Sequence, residues 1–270
     1  MTLPSLFVSH GSPMLPLTEV PARQFLVDLG RSLPRPKAIL VISAHWETAE
    51  PELNAVSTNE TIHDFYGFPR ALYELRYPAP GAPELAQDIA ARLAAAGLPA
   101  AIDHARGLDH GAWVPLLLMY PGADIPVLQL SIQTERGPKH HLALGRALAP
   151  LRDDGVLIIG SGSFTHNLAE FRTRRPELNA PALPWVDTFA DWVHEAAIAG
   201  RVDDLLDYRS RAPFAHKNHP TDEHFLPLFA ALGAAGKGAH AKRLHNSANY
   251  GVLRMDVYAF HAVNETAAAA

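Results

Sequence analysis

Short apolar segments alternate along the chain with longer amphipathic or alanine-rich segments, and this alternation limits the possible fold more than any other feature. The apolar segments have the length and content of buried strands: Leu3 to Ser9, Ala38 to Ser43, Ile125 to Ser131 and Val156 to Gly160. The segments between them show helical patterns: Ala22 to Leu33, Pro83 to Ala96, Lys139 to Leu151 and Pro184 to Ala199. This order predicts an α/β fold with a mostly parallel sheet and helices on both faces.

Three further segments alternate between apolar and polar residues, as edge strands do: Leu53 to Thr58, Ala239 to Asn246 and Gly251 to His261. We expect antiparallel pairing at a sheet edge, with the last two segments forming a hairpin around Ser247 to Tyr250, so that the sheet is mixed. Because the chain has no internal repeat and no strong shift in composition, we predict a single domain over residues 1–270, with 263–270 as a frayed tail.

Composition excludes several classes of partner and metal site. The net charge is -5 and no run of lysine or arginine occurs, so we expect no nucleic-acid partner. No apolar run approaches the roughly 18 residues of a membrane span, and the first residues lack a secretory pattern, so we expect a cytoplasmic protein without a membrane partner. Cysteine is absent, so any metal must bind nitrogen or oxygen.

Histidine is abundant, with 15 residues, and three of these follow predicted strands. His10 comes after the first strand, His45 after the second, and His166 after the strand that reads GVLIIG. In an open α/β sheet, ligands bind outside the carboxyl ends of the strands, because loops from several strands converge there. The placement therefore predicts three imidazoles around one pocket, although each histidine alone could be satisfied by a backbone carbonyl.

Other histidines are ambiguous from spacing alone. Thr221 could cap a helix with Asp222 and Glu223 in its first turn, which favours an ordinary helix-surface position for His224. His219, five residues earlier, competes with His224 as the candidate functional histidine of this segment. His110, at the entry to an apolar helix, and His63, in an aromatic loop with Phe65 and Tyr66, are equally compatible with a pocket or with solvent.

Six motifs follow one another along the chain: SHGSP, SAHWET, TIHDFYGFP, GLDHGAWVPL, GSGSFTHNL and PTDEHFLPLF. With them the chain resembles the class III extradiol ring-cleavage dioxygenases, and more narrowly the 4,5-DOPA dioxygenase extradiol-like branch, from about Leu6 to the last strand. The resemblance implies that His10, His45 and His224 bind a metal. Glu223 is the fallback third ligand, because the wider class uses a glutamate at the matching position.

The resemblance also implies roles for residues that do not bind the metal. His166 would act as the acid and base of the reaction, and His110 would orient the substrate. His63, Phe65 and Tyr66 could close over the aromatic ring. Fe(II) is expected for activity, while three imidazoles also suit Zn(II) as a bound metal.

The implied function is insertion of O2 into a small catechol, DOPA-like or otherwise. Two alternatives use the same fold: a zinc-dependent hydrolase on the same histidines, and a non-enzymatic binding protein. A serine hydrolase is not favoured, because Ser161 and Ser163 lack the G-x-S-x-G elbow and no acid partner is evident.

Overall fold

The computed structural model describes residues 2–263, in which most strands belong to one eight-stranded sheet. The strands of this sheet are β1 Ser5–Ser9, β2 Ala38–Glu47, β3 Glu52–Asn54, β4 Ala101–Asp103, β5 Val127–Ile132, β6 Val156–Gly162, β7 His240–His245 and β10 Val257–His261. Two short strands form a separate sheet, β8 Ala248–Asn249 and β9 Leu253–Arg254. The helices are α1 Pro21–Ser32, α2 Arg70–Glu74, α3 Pro83–Ala95, α4 His110–Met119, α5 Gly137–Leu148, α6 Leu168–Arg174, α7 Pro184–Ile198, α8 Val202–Leu206, α9 Tyr208–Arg211, α10 Ala215–Asn218 and α11 Leu226–Ala234.

The strand order across the large sheet is β4-β3-β5-β2-β6-β1-β10-β7. The four central strands, β5, β2, β6 and β1, are parallel to one another. Antiparallel pairs flank them, because β10 runs antiparallel to β1 on one side and β3 runs antiparallel to β5 on the other. The predicted α/β fold with a mixed, mostly parallel sheet is confirmed.

Alternate residues of the central strands point to two separate cores, one on each face of the sheet. In β2, Leu40 and Ile42 pack into the core that contains α3, α5, α7 and α11, whereas Ile39 and Val41 pack into the core with α1 and α4. Successive strand side chains point to opposite faces, so a strand buried on both faces is apolar throughout. This is why the central strands have continuous apolar sequences and why helices cover both faces.

The two predicted edge regions differ from expectation in detail. Strands β7 and β10 pair antiparallel, as predicted, but the segment between them contains β8 and β9 rather than a tight hairpin turn. The strand predicted from Leu53 to Thr58 ends at Asn54, whose side chain donates to Asn59 Oδ1 at 2.8 Å and turns the chain. That strand lies near the opposite edge of the sheet from β7.

The helix predicted to begin at a Thr221 cap begins later, at Leu226, so this part of the prediction is wrong. The Asp222 carbonyl accepts the N–H groups of Phe225 and Leu226, and its carboxylate binds Tyr208 Oη and Arg209 instead of extending the helix. His224 therefore lies in a turn that precedes α11, not on the surface of a helix.

The described residues form one domain around the large sheet. Within residues 2–263, none of the helices is both long enough and apolar enough to cross a membrane. The predicted tail, residues 263–270, lies outside the described part of the chain apart from Val263.

Candidate metal centre

The carboxyl ends of three adjacent strands bring the first histidines together. Strand β6 lies between β1 and β2, with Ser9 of β1 opposite Gly162. His10 follows β1 directly. His45 lies within β2 rather than after it, because β2 continues to Glu47 beyond a shift of its register with β5. Both imidazoles therefore flank the end of β6, where the sequence predicts a pocket.

Glycines on β6 bring His224 to the same place. A Cβ atom at Gly162 would lie 2.1 Å from the carbonyl oxygen of His224, and one at Gly160 would lie 2.1 Å from that of Pro227. Only glycine allows the turn before α11 and the helix itself to lie so close to the strand. The Ser163 N–H donates to the His224 carbonyl at 2.9 Å and fixes this approach.

Three imidazole nitrogens converge at the centre of the site. The Nε2 atoms of His10 and His45 are 3.0 Å apart, and those of His45 and His224 are 3.3 Å apart. With metal–nitrogen bonds of about 2.1 Å, two ligand nitrogens lie about 3.0 Å apart at a right angle and about 3.4 Å apart at the tetrahedral angle. The His10–His45 and His45–His224 spacings therefore each fit two ligands of one divalent metal.

The outer ring nitrogens of two of these histidines have fixed partners. The Ser161 hydroxyl donates to the Gly111 carbonyl, so it accepts the Nδ1–H of His10 at 3.0 Å. Nδ1 of His224 donates to Glu223 Oε1 at 2.9 Å. Burial lowers the pKa of both imidazoles well below the usual value, and the neighbouring histidines lower it further. Each ring is thus neutral with its Nε2 lone pair directed inward, the form that binds metal.

Glu223 lies behind His224 rather than beside its inward nitrogen. The same Oε1 atom that accepts from His224 is 3.9 Å from Nδ1 of His166. Glu223 therefore orients the ring of His224 through the hydrogen bond from Nδ1.

The ring of His166 stacks on the ring of His224, with centroids 3.5 Å apart and planes at 13°. Burial lowers the pKa of His166 to about 4, so it is neutral near pH 7.

Asp64, which is not among the residues predicted from the sequence, holds His110 in place through two hydrogen bonds. Its Oδ1 accepts the backbone N–H of His110 at 3.0 Å, and its Oδ2 accepts the ring Nδ1–H at 2.9 Å. Burial would raise the pKa of Asp64, but the hydrogen bonds from His110 lower it to about 2, so the carboxylate is ionised. The ring of His110 then lies 3.8 Å, centroid to centroid, from that of His45. In the sequence, Asp64 directly follows His63, a predicted pocket residue, and this position could have indicated a role for the carboxylate.

A cavity of about 450 Å³ opens above these histidines. Phe65 and Tyr66 line it, and the Tyr66 ring is 88% exposed at its mouth. His63 is not among the residues that line it, because its Nε2 lies 3.2 Å from the Leu75 carbonyl oxygen. The other polar residues of the lining include those already described: His10, His45, Asp64, His110, His166 and His224.

The remaining candidates from the sequence have structural roles. Ser161 donates to a carbonyl and accepts from His10, so His10 does not act on it as a base, and Ser163 Oγ donates to the Thr165 carbonyl. His219 is fully buried, with Nε2 3.0 Å from the Phe164 carbonyl oxygen. Neither a serine nucleophile nor a role for His219 as a ligand is supported.

A histidine cluster at the carboxyl edge of a mostly parallel α/β sheet, next to an open cavity, defines a metal-dependent enzyme. The chain belongs to the family described as "Catalytic LigB subunit of aromatic ring-opening dioxygenase", whose model matches residues 5–260. Members of this family are metal-dependent, in agreement with the histidine cluster. The family predicted from the six motifs is confirmed.

Individual proteins agree with the family assignment. The chain is 47% identical over 260 residues to a protein of Beta vulgaris named 4,5-DOPA dioxygenase extradiol, covering 95% of this chain and 96% of that one. A protein of the same name from Escherichia coli K12 is 43% identical over 236 residues, covering 86% and 85%. A crystal structure of an uncharacterized E. coli K12 protein superposes with a TM-score of 0.75 and 33% identity, covering 95% and 99%.

These findings confirm the predicted reaction class. The protein is an extradiol ring-cleaving dioxygenase, an oxidoreductase that acts on an aromatic substrate with dioxygen. The full-length similarity to dioxygenases favours this activity over the hydrolase and the binding protein.

Proposed function

We propose that the protein opens the ring of a small catechol with a ferrous ion bound by His10, His45 and His224. The observation that carries the proposal is the convergence of three inward Nε2 atoms, 3.0 and 3.3 Å apart, below an open cavity. Three neutral imidazoles also suit Zn(II), so zinc is the alternative bound metal. Fe(II) is the proposed active metal, because when bound by these histidines it would supply the redox chemistry that a reaction with dioxygen requires.

His166 is the proposed acid and base. It lines the cavity next to His224, and its neutral ring is able to take a proton from a substrate hydroxyl. The same ring returns the proton when the oxygen–oxygen bond breaks. Between these two proton transfers the imidazole of His166 is protonated. The Glu223 carboxylate, whose Oε1 is 3.9 Å from Nδ1 of His166, stabilises this charged form.

His110 is the proposed orienting residue. Because Asp64 accepts its Nδ1–H, its Nε2 is left as an acceptor for the second hydroxyl of the diol. Phe65 lines the cavity where the apolar face of the ring would pack, and the exposed Tyr66 lies at its mouth. In this arrangement the cavity holds the ring, and His166 and His110 orient its two hydroxyls.

The proposed reaction consumes one diol and one O2 and keeps both oxygen atoms in the product. The ring carbon–carbon bond next to one hydroxyl-bearing carbon breaks, which leaves a carboxylate on one carbon and a carbonyl on the other. Both curated relatives described above carry names that include DOPA, so a DOPA-like catechol is the proposed substrate class. The cytoplasmic location stays a prediction.

Oxygen uptake tests this function. Protein loaded anaerobically with iron, and a zinc-loaded sample, are given a panel of catechols while oxygen and the visible spectrum are recorded. We expect oxygen uptake and a yellow ring-opened product with iron only. His166→Ala should abolish product formation, whereas His104→Ala, at an exposed histidine that does not line the cavity, should not. Oxygen-independent turnover with zinc would support the hydrolase, and absence of both turnover and catecholate colour would support the binding protein.

A further inference from the structure

A second cavity, of about 510 Å³, adjoins the catalytic cavity on the side of α6. The two cavities share three lining residues, Phe171, Arg172 and Tyr250, and Arg175 and Pro176 complete the outer one. A molecule whose ring lies over the histidines can therefore extend a substituent past Arg172 into the outer cavity.

The charge of the outer cavity is positive and uncompensated. Arg172 and Arg175 are exposed, and among residues 2–263 neither forms an ion pair with a carboxylate. Arg174, between them in sequence, does not line either cavity, and its Nε is 2.6 Å from Glu170 Oε2. Two guanidinium groups at one opening, each with free donors, form an environment that favours a carboxylate.

The wall of the outer cavity is held in a specific shape. The rings of Phe171 and Tyr250 meet edge to face, with centroids 5.0 Å apart. Tyr250 has φ 56°, a left-handed value that costs energy for residues other than glycine, whereas Arg175, with φ 45°, is the left-handed residue that ends α6. The N–H of Tyr250 donates to the Leu178 carbonyl at 2.8 Å, which holds this conformation. Backbone strain of this kind concentrates at binding sites.

We propose that the outer cavity is a subsite for an anionic substituent on the catechol ring, with Arg172 and Arg175 binding its carboxylate. This inference rests on the proposed function, because it takes the ring to lie at the metal centre. The guanidinium groups favour a substrate whose side chain carries a carboxylate and disfavour one whose side chain carries an ammonium without a carboxylate. Arg172 and Arg175 are then specificity-determining residues.

Three catechols that differ mainly in side-chain charge test the subsite: dihydroxyphenylpropionate, which is anionic, ethylcatechol, which is neutral, and dopamine, which is cationic. The readout is the ratio of kcat/KM for the anionic to that for the neutral substrate, measured with the iron-loaded enzyme. We expect a ratio of roughly 10 or more, and a value below one for dopamine against ethylcatechol. Arg172→Gln with Arg175→Gln should bring both ratios towards one, mainly through KM.

Arg174→Gln is the matched control, because it removes a charge from the same helix without touching either cavity, and it should leave the ratios unchanged. Equal kcat/KM for the three catechols in the unaltered enzyme would overturn the subsite while leaving the proposed function intact. If no catechol is opened, the proposed function fails, and anaerobic binding of the same three compounds decides the subsite. Binding that depends on side-chain charge only when Arg172 and Arg175 are present supports it, and binding independent of charge overturns it.

Discussion

Asp64 binds His110 at two points, accepting its backbone N–H at 3.0 Å and its ring Nδ1–H at 2.9 Å. One carboxylate thus fixes both the start of α4 and the orientation of an imidazole in the cavity. Both contacted groups are donors, so the residue at position 64 must offer two acceptors. Aspartate offers two acceptor oxygens, whereas asparagine, of nearly the same shape, has one acceptor and one donor.

Asp64→Asn should therefore lower kcat without removing the metal. The asparagine NH2 group would oppose one of the His110 donors, and loss of the charge would leave the ring less well oriented. We expect kcat to fall about 10- to 100-fold, as for other partners that orient a catalytic histidine, with metal content unchanged. Oxygen uptake and metal analysis measure the two effects. Asp88→Asn, at an exposed position on α3, is the control, and loss of metal in Asp64→Asn would indicate direct ligation instead.

Glu223 and His224 should respond differently to substitution. His224→Ala removes an inward nitrogen, so stoichiometric metal binding should be lost. Glu223→Gln keeps an acceptor for the His224 Nδ1–H but removes its charge, so metal affinity should weaken about 10- to 100-fold. Competition with a chelator measures both affinities, with Glu84→Gln on the surface of α3 as the control. A larger loss of metal affinity in Glu223→Gln than in His224→Ala would identify Glu223 as the third ligand.

Gly162→Ala should displace His224. The added Cβ would lie 2.1 Å from the His224 carbonyl oxygen, so the turn before α11 must move by roughly 1 Å to relieve the contact. A shift of that size at a catalytic centre costs about 100-fold in kcat/KM, and the metal should bind more weakly. Gly122→Ala, where the nearest atom is 3.3 Å away on the side chain of Asp124, provides the control. Unchanged kinetics in Gly162→Ala would mean that the close approach is not needed.

His141, remote from the metal centre, should make the protein less stable in mild acid. Its Nδ1–H donates to the Gly137 carbonyl at 2.8 Å and its Nε2 accepts the Gln133 N–H at 3.2 Å, so the folded state holds the neutral ring. Burial lowers its pKa to about 4. The unfolded chain binds a proton near pH 6.5, so the contribution of His141 is complete above that pH. It is lost progressively down to about pH 4, by about 3 kcal/mol in total.

Urea unfolding of the wild-type protein and of His141→Gln between pH 4 and 7.5 measures this contribution. The variant should be less stable at neutral pH, but the difference should narrow as the pH falls from 6.5 to about 4. His104→Gln, at an exposed histidine, should give a curve parallel to that of the wild type. A constant difference between wild type and His141→Gln would exclude a buried neutral ring.

The central sheet was predictable because its signals are local. Apolar runs such as Val156 to Gly160 specify buried strands wherever they lie, and the end of each strand places His10 and His45 at one edge of the sheet. His224 was different. Its approach depends on Gly160 and Gly162, which are distant in sequence, and the local pattern around Thr221 indicated a helix start that does not form. That residue became a candidate ligand only through the resemblance of the motifs.

Residues that act through another side chain were the hardest to predict. Asp64 and His110 are 46 positions apart, and no spacing rule connects them. Ser161 was not favoured as a nucleophile, but its actual role, accepting a hydrogen bond from His10, was not predictable from its position in the sequence. Phe65 and Tyr66 of the aromatic loop line the cavity, whereas His63, their neighbour, contacts the Leu75 carbonyl. Alternation along an irregular loop carries too little information to decide which side chains point inward.

The outer cavity is built mainly on segments different from those that carry His10 and His45. Its wall comes from α6 and the loop that follows, joined to the segment around Tyr250 by backbone hydrogen bonds, including that between Leu183 N and Gly251 O at 2.9 Å. His10 and His45, in contrast, are fixed by the parallel strands of the core. Substitutions in the outer wall therefore leave the strands that fix His10 and His45 in place, so the shape of the entrance and the position of these two histidines are set by separate parts of the fold.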